Sequence, residues 1–259
     1  MLDSFGLTDV GRRRSLNEDN LIVDKEASFF AVCDGLGGQN AGEVASSTAV
    51  EVLSAFMIRS HRDKDITWPY GFAARLTFDG NRLLTAIGLA NKKVFRVADS
   101  QPDYSGMGTT VVAALVRGNT LTVGWVGDSR LYLLRGGTLQ ALTEDHTWVN
   151  MAVREGTISR EEAEKHPWKH VLLKAVGGRD TIEPDLVEGK LEHGDVVLLC
   201  SDGLHGMLTD DQIAGLLATT SATSLEEAGK GLVAAANEAG GKDNITVVLL
   251  RFADEKPRA

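Results

Sequence analysis

Cysteine is scarce. Cys33 and Cys200 are the only two in 259 residues, which excludes a disulfide framework and any paired CxxC metal site. Each closes an apolar run just before an acid, as a small buried strand residue does, and a reducing cytoplasm suits both. No linker rich in Pro, Gly or Ser divides the chain and no repeat recurs, so it reads as one domain over 1–259. No stretch of 18 apolar residues occurs, so no spanning helix and no membrane insertion is expected. The opening "MLDSFGLTDVGRRR" lacks an apolar h-region, so no signal peptide is expected either, and the expected location is the cytoplasm. Positive charge is in deficit. A formal net charge of -9 argues against nucleic acid, or an anionic membrane, as the main partner. The six histidines form no HExxH pair, no G-K-[ST] follows the glycines of "CDGLGG", and no G-x-S-x-G elbow exists.

What the chain does have is short apolar runs that end in acids. "SFGLTDV", "DNLIVD" and "ASFFAVCD" read as strands. Ala45, Ala49, Val52 and Phe56 in "EVASSTAVEVLSAFM" repeat at helical spacing, with glycines and Asn40 ahead to release the strand. "SHRDKDITWPYG" reads as a loop. Leu83, Ile87, Ala90, Val94 and Val97 then mark one face of a long helix, with Asp79 as its expected N-cap. From Thr109 to Thr143 β-rich runs separated by "RGN" and "RGG" make an antiparallel meander. "DVVLLCSDGL" and "NITVVLLRF" are two further strands. Two helices are expected between them, one starting near Thr209 and one through "SLEEAGKGLVAAANEA". Strands come in runs and helices in pairs, unlike the regular alternation of a dinucleotide-binding sheet. Such an order suits two antiparallel sheets packed together and covered by helices.

Asp9, Asp19, Asp34, Asp128, Asp202 and Asp243 lie beside apolar runs or glycines. Several share one layout: a strand, an acid, then glycine or a small polar residue. A carboxylate at the end of a buried strand is costly unless compensated, and several together repel one another. Asp holds a cation close to the backbone, and an all-oxygen set suits Mg²⁺ or Mn²⁺. Two such cations about 4 Å apart turn a shared water into a nucleophile. Any single Asp-Gly of this kind also reads as a turn, and spacing alone leaves both readings open.

Seven motifs in order carry a resemblance. They are "TDVGRRRSLNED", "VCDGLGG", "GMGTTVVAAL", "VGDSRLYLLRGG", the stretch from Leu142 to Gly177, "LLCSDGL" and "GKDNITVVLL". Together they resemble the protein phosphatase 2C (PPM) family of metal-dependent protein serine/threonine phosphatases, in its compact bacterial form, over nearly the whole chain. The resemblance implies an α+β fold, a four-layer α-β-β-α sandwich with two central antiparallel sheets. It implies a flap insert at about 143–176. It also implies two Mn²⁺ or Mg²⁺ ions per chain, with a third in many bacterial members.

By the same resemblance Asp34 bridges both metals, the Gly35 carbonyl helps hold the first, and Asp202 and Asp243 hold the second. Glu18 and Asp19 sit at the same centre, and Asp128 with Asp202 takes the third ion. Arg14 clamps the substrate phosphate, as a planar fork of donors suits phosphoryl oxygens, while Arg12 and Arg13 read as a solvated turn. The implied reaction is hydrolysis of phosphoserine and phosphothreonine in proteins by metal-activated water, with no covalent intermediate. The implied partners are phosphorylated proteins and a bacterial serine/threonine kinase whose action is opposed, and a monomer is expected. One departure is Leu36, where eukaryotic members often carry a histidine proposed as general acid. A metal-bound water near Asp128 and the flap histidine His146 are alternatives, and a structural turn contact is the competing reading of His146. His166 reads as a helix-end residue. Trp148 and Trp168 read either as core or as a surface for the phosphoprotein. Ser129 and Ser201 do not read as nucleophiles. The rival readings are a degenerate relative that binds phosphoproteins without turnover, and a more specialised phosphatase, such as one that regulates an anti-sigma antagonist or a secretion system.

Overall fold

Alternation along the strands decides the layers. In β3 (Phe29–Leu36), Phe29, Ala31 and Cys33 face one core while Phe30 and Val32 face another. That is the two-residue period of a strand buried on both sides. β10 (Val196–Cys200) and β11 (Ile245–Phe252) behave the same way. Leu198, Cys200, Val247 and Leu249 point to an outer core, and Val197, Leu199, Val248 and Leu250 point to the core that β3 shares. The structure is a computed structural model and describes residues 1–38, 40–63, 67–218 and 223–254. Residues 64–66 of the expected loop lie outside it, as do 39, 219–222 and 255–259.

One sheet runs β1 (Leu2–Asp9), β11, β10, β7 (Arg130–Arg135), β8 (Thr138–Ala141). The other runs β2 (Asp19–Asp24), β3, β5 (Val111–Arg117), β6 (Thr120–Val126), β9 (Asp185–Lys190), with the short β4 (Gly108–Thr109) beside β3. The pairings among these strands are antiparallel. α1 (Ala41–Arg62) and α2 (Phe78–Ser100) cover the second sheet, while α6 (Asp210–Ala218) and α7 (Leu225–Glu238) cover the first. The order helices, sheet, sheet, helices is the sandwich that the resemblance implies.

Several local readings change. α1 runs on to Arg62, into the stretch read as loop, and by length and composition it would suffice to cross a membrane. Its Ala45, Ala49, Leu53 and Met57 are nevertheless fully buried in the core it shares with β3 and α2. The N-cap of α2 is Thr77, whose Oγ1 accepts from Gly80 N at 3.0 Å, and not Asp79. Asp79 instead meets Arg82 Nη1 at 3.1 Å and Arg117 Nε at 2.6 Å. The Arg82 side chain is wholly buried, and a buried guanidinium requires a counter-charge more than a helix end requires a cap. β9 was not expected, because its "DLVEGK" lies on a sheet edge with little buried apolar surface.

Candidate metal centre

The acids arrive from both sheets at one end of the sandwich. Asp19 opens β2 and Asp34 lies near the close of β3, and the antiparallel register sets the two directly opposite. From the other sheet, Asp202 follows the end of β10 and opens the one-turn α5 (Asp202–His205), and Asp243 precedes β11. Asp128 sits in the turn between β6 and β7. The local backbone needs its glycines. A Cβ at Gly35 would lie 2.1 Å from Gly42 O, and one at Gly203 would lie 1.9 Å from Asn244 O.

Hydroxyls fix these acids. Asp34 N donates to Thr110 Oγ1 at 3.0 Å, and Asp34 O accepts from Thr109 Oγ1 and Thr110 N, both at 2.8 Å. Thr110 Oγ1 in turn lies 2.6 Å from Ser129 Oγ. Asp19 Oδ2 accepts from both Ser201 Oγ and Thr246 Oγ1 at 2.7 Å. The two serines therefore hold the site together, as their lack of a nucleophile's surroundings suggests. Thr109, Thr110 and Thr246 carried no role in the sequence reading, although each stands inside a quoted motif.

The charges are mutually unfavourable. Burial, then the neighbouring Asp19, Asp202, Asp128 and Asp243, raise the Asp34 carboxyl well above the ordinary carboxylate range. Burial pushes Asp19 up to about 7 against the pull of its two hydroxyl donors. Burial and the Asp202 charge push Asp128 up to about 8. Burial and the Asp243 charge raise Asp202. Glu18 is raised by burial as well, with Arg14 and the Gly42 backbone pulling the other way, and its Oε1 is buried without a hydrogen-bond partner. An orphaned carboxylate oxygen beside acids that disfavour one another's ionisation fits a divalent cation, and the donor set is all oxygen. Among the described residues no three Asp, Glu, His or Cys side chains stand in ready-made ligand geometry. Unneutralised carboxylates resist being drawn that close.

Arg14 stands at this rim, with Nη2 donating to Asp243 Oδ2 at 2.7 Å and its side chain half exposed. Its loop is held by backbone and by Asn244. Arg12 N and Arg13 N both donate to Gly241 O, at 2.7 and 3.2 Å, and both side chains are exposed, in keeping with the solvated turn. Asn244 Nδ2 donates to Val10 O and Leu16 O, and its Oδ1 accepts from Glu18 N, each at 2.9 Å. One buried amide thus pins both ends of the stretch that carries Arg14, a role the sequence did not disclose.

Beside the acids lies a cleft of about 1020 Å³. Asp128, Asp202 and His205 line one side, and Thr147, Arg154 and His170 line the other, which comes from the stretch expected as a flap. That stretch carries α3 (Trp148–Arg154) and α4 (Arg160–Lys165). Its root is clamped where Arg130 Nε and Nη2 each meet an oxygen of Asp145 at 2.8 Å. His146 belongs to the root. Gly127 N donates to its Nδ1 at 3.0 Å, its Nε2 lies 2.8 Å from Asp185 Oδ2, and its ring stacks on Trp125. The structural contact is therefore the correct reading of His146. His170 and His205, both passed over in the sequence, are the histidines near the acids: His170 Nδ1 lies 4.0 Å from Asp202 Oδ2, and His205 Nε2 lies 3.0 Å from the Asp128 carbonyl oxygen. His166 caps the end of α4 and stacks on Trp148, while Trp168 is more than half exposed.

Comparison with known proteins places the chain among known sequences and folds. Residues 11–238 match the family described as "Protein phosphatase 2C". The serine/threonine phosphatase stp of Listeria welshimeri is 40% identical over 248 residues, covering 94% of this chain and 93% of that protein. The crystal structure of the serine/threonine phosphatase PstP/Ppp of Mycobacterium tuberculosis is similar at a TM-score of 0.83 and 35% identity, covering 97% of this chain and 99% of that one. A PstP catalytic domain in complex with 2 manganese ions is similar at a TM-score of 0.81 and 34% identity, over 98% of this chain and 99% of that one.

Proposed function

Since the chain belongs to the protein phosphatase 2C family, we propose that it hydrolyses phosphoserine and phosphothreonine in proteins, opposing a bacterial serine/threonine kinase in the cytoplasm as a monomer. The observation that supports this most is the meeting of acids from both sheets at one rim, with the Glu18 oxygen unpaired and Arg14 beside them. Asp34, the Gly35 carbonyl, Asp202 and Asp243 would hold two Mn²⁺ or Mg²⁺ ions, with Glu18 and Asp19 at the same centre and Asp128 with Asp202 serving a third. When bound, such ions neutralise charge on the phosphoryl oxygens and acidify a water for in-line attack.

The chain's own groups do the rest. Arg14 spends one donor on Asp243 and keeps four for the phosphoryl group, so it fixes the phosphate at the rim while leaving Asp243 oriented. Residues 143–176 act as the flap, and the cleft beneath them receives the polypeptide that flanks the phosphorylated residue. Trp168, exposed on the same stretch, offers apolar surface to that polypeptide. The test is phosphate release from a phosphothreonine peptide with Mn²⁺ and after chelation. Release that needs the cation is expected. No release in either condition would favour a phosphoprotein binder, and undiminished release after chelation would overturn the metal reading.

A further inference from the structure

The buried acid Asp19 is reached by a directed chain of hydroxyls that crosses from one sheet to the other. Asn17 Nδ2 donates to Thr8 Oγ1 at 2.8 Å. Thr8 Oγ1 lies 2.7 Å from Thr246 Oγ1, which is 2.7 Å from Asp19 Oδ2. A threonine hydroxyl has a single proton, and a carboxylate oxygen can only accept it. Thr246 therefore gives its proton to Asp19, and Thr8 must give its own to Thr246. Ser201 Oγ donates to the same Asp19 Oδ2 at 2.7 Å while accepting from Thr246 N at 3.0 Å. Ser201 and Thr246 are wholly buried, and Asp19 is 5% exposed. Both hydroxyls land on Oδ2, so one carboxylate oxygen is occupied and the carboxylate plane is fixed, with Oδ1 outside this network.

We propose that Thr246 and Ser201, backed by Thr8, are positioning residues of the metal centre. They tie Asp19 to the opposite sheet and hold its carboxyl group in one orientation, with Oδ2 engaged and Oδ1 left for a divalent cation. This rests on the reading of these acids as a metal centre. The mechanism is positional: two hydroxyls that donate to the same oxygen from the opposite sheet fix where the Asp19 carboxyl group lies and how it turns. Partners of this kind, placed behind a ligand, commonly contribute 10- to 100-fold to metal affinity.

The test is calorimetric titration of the folded, metal-free protein with Mn²⁺ alone, no substrate present. Thr246→Val, which keeps the size and the backbone N–H but removes the hydroxyl, is expected to weaken binding at the tightest site about tenfold or more. Ser201→Ala should weaken it by a similar factor. Thr246→Ser, which restores the donor, should return affinity to within about threefold of wild type, a rescue that loss of packing would not show. Should Thr246→Val fail to fold by circular dichroism, Thr8→Val decides, because it only removes the donor behind Thr246 and is expected to weaken Mn²⁺ about threefold. Isotherms of the hydroxyl-less variants that superimpose on wild type overturn the proposal. A wild type that binds no Mn²⁺ overturns the metal reading beneath it, a result distinct from failure of the variants alone.

Discussion

At the scale of single residues, Asp34 shows the conflict between stability and chemistry most openly. Four neighbouring acids and its own burial disfavour its charge, so the residue destabilises the metal-free protein. Asp34→Ala is expected to lower turnover by about a thousandfold or more, the several kcal/mol a bound metal supplies, while the metal-free melting temperature stays equal or rises. A drop in that temperature would contradict the electrostatic account. Arg14→Ala should cut kcat/KM about 10- to 100-fold through lost charge-assisted bonds to phosphate. Because Arg14 occupies Asp243 Oδ2, its removal should leave Mn²⁺ binding as tight as in wild type or tighter, which titration would show. The acids were legible in the sequence because each lies beside an apolar run or a glycine, and because the motifs around them resemble one family. Asn244, Thr246 and His170 were not. Their roles depend on which distant residues the fold brings opposite, as in the bonds from Asn244 to Val10 and Leu16, and no local pattern encodes that.

At the scale of elements, strands buried on both faces announced themselves, and so did helices with a continuous apolar face. What failed were termini and edges. Asp79 is the N-cap the sequence suggests, and Thr77, two residues ahead, takes that place. Only the buried Arg82, which ties Asp79 to Ser60 and Met57 through its own bonds, decides that the acid is taken and the threonine caps. Thr77→Ala is accordingly expected to cost about 1 kcal/mol in denaturant unfolding, since it loses the bond from Gly80 N and the contact with Glu188. A change as small as that of a surface substitution would mean the cap is idle. β9 and the short helices of the flap lacked periodicity to read, because elements with little buried face have no need to alternate.

At the scale of the whole molecule, the rim makes stability depend on pH with a definite sign. Asp19 and Asp128 have folded values near 7 and 8, above their ordinary 3.8. The native state therefore holds protons that the unfolded chain has already released, and their contribution is lost as pH rises through those values. Buried His205, lowered to about 4 by desolvation, works the other way, but its contribution is complete once pH exceeds the ordinary 6.5. Between pH 6.5 and 8.5 the metal-free protein is thus expected to melt at progressively lower temperature, and saturating Mn²⁺ should flatten or reverse that slope. Thermal scans with and without chelator would show it, and a metal-free curve that climbs over this range would refute it.

Asp19 on one sheet is gripped by Ser201 and Thr246 of the other. An ion lodged at that seam would work as a rivet, fastening two leaves that otherwise adhere through side-chain packing and through hydrogen bonds such as the one from Arg135 Nη2 to Lys190 O. Loading it should slow amide exchange in β2 and β11 together, and the tightness with which Mn²⁺ is held becomes a gauge of how well the leaves are aligned.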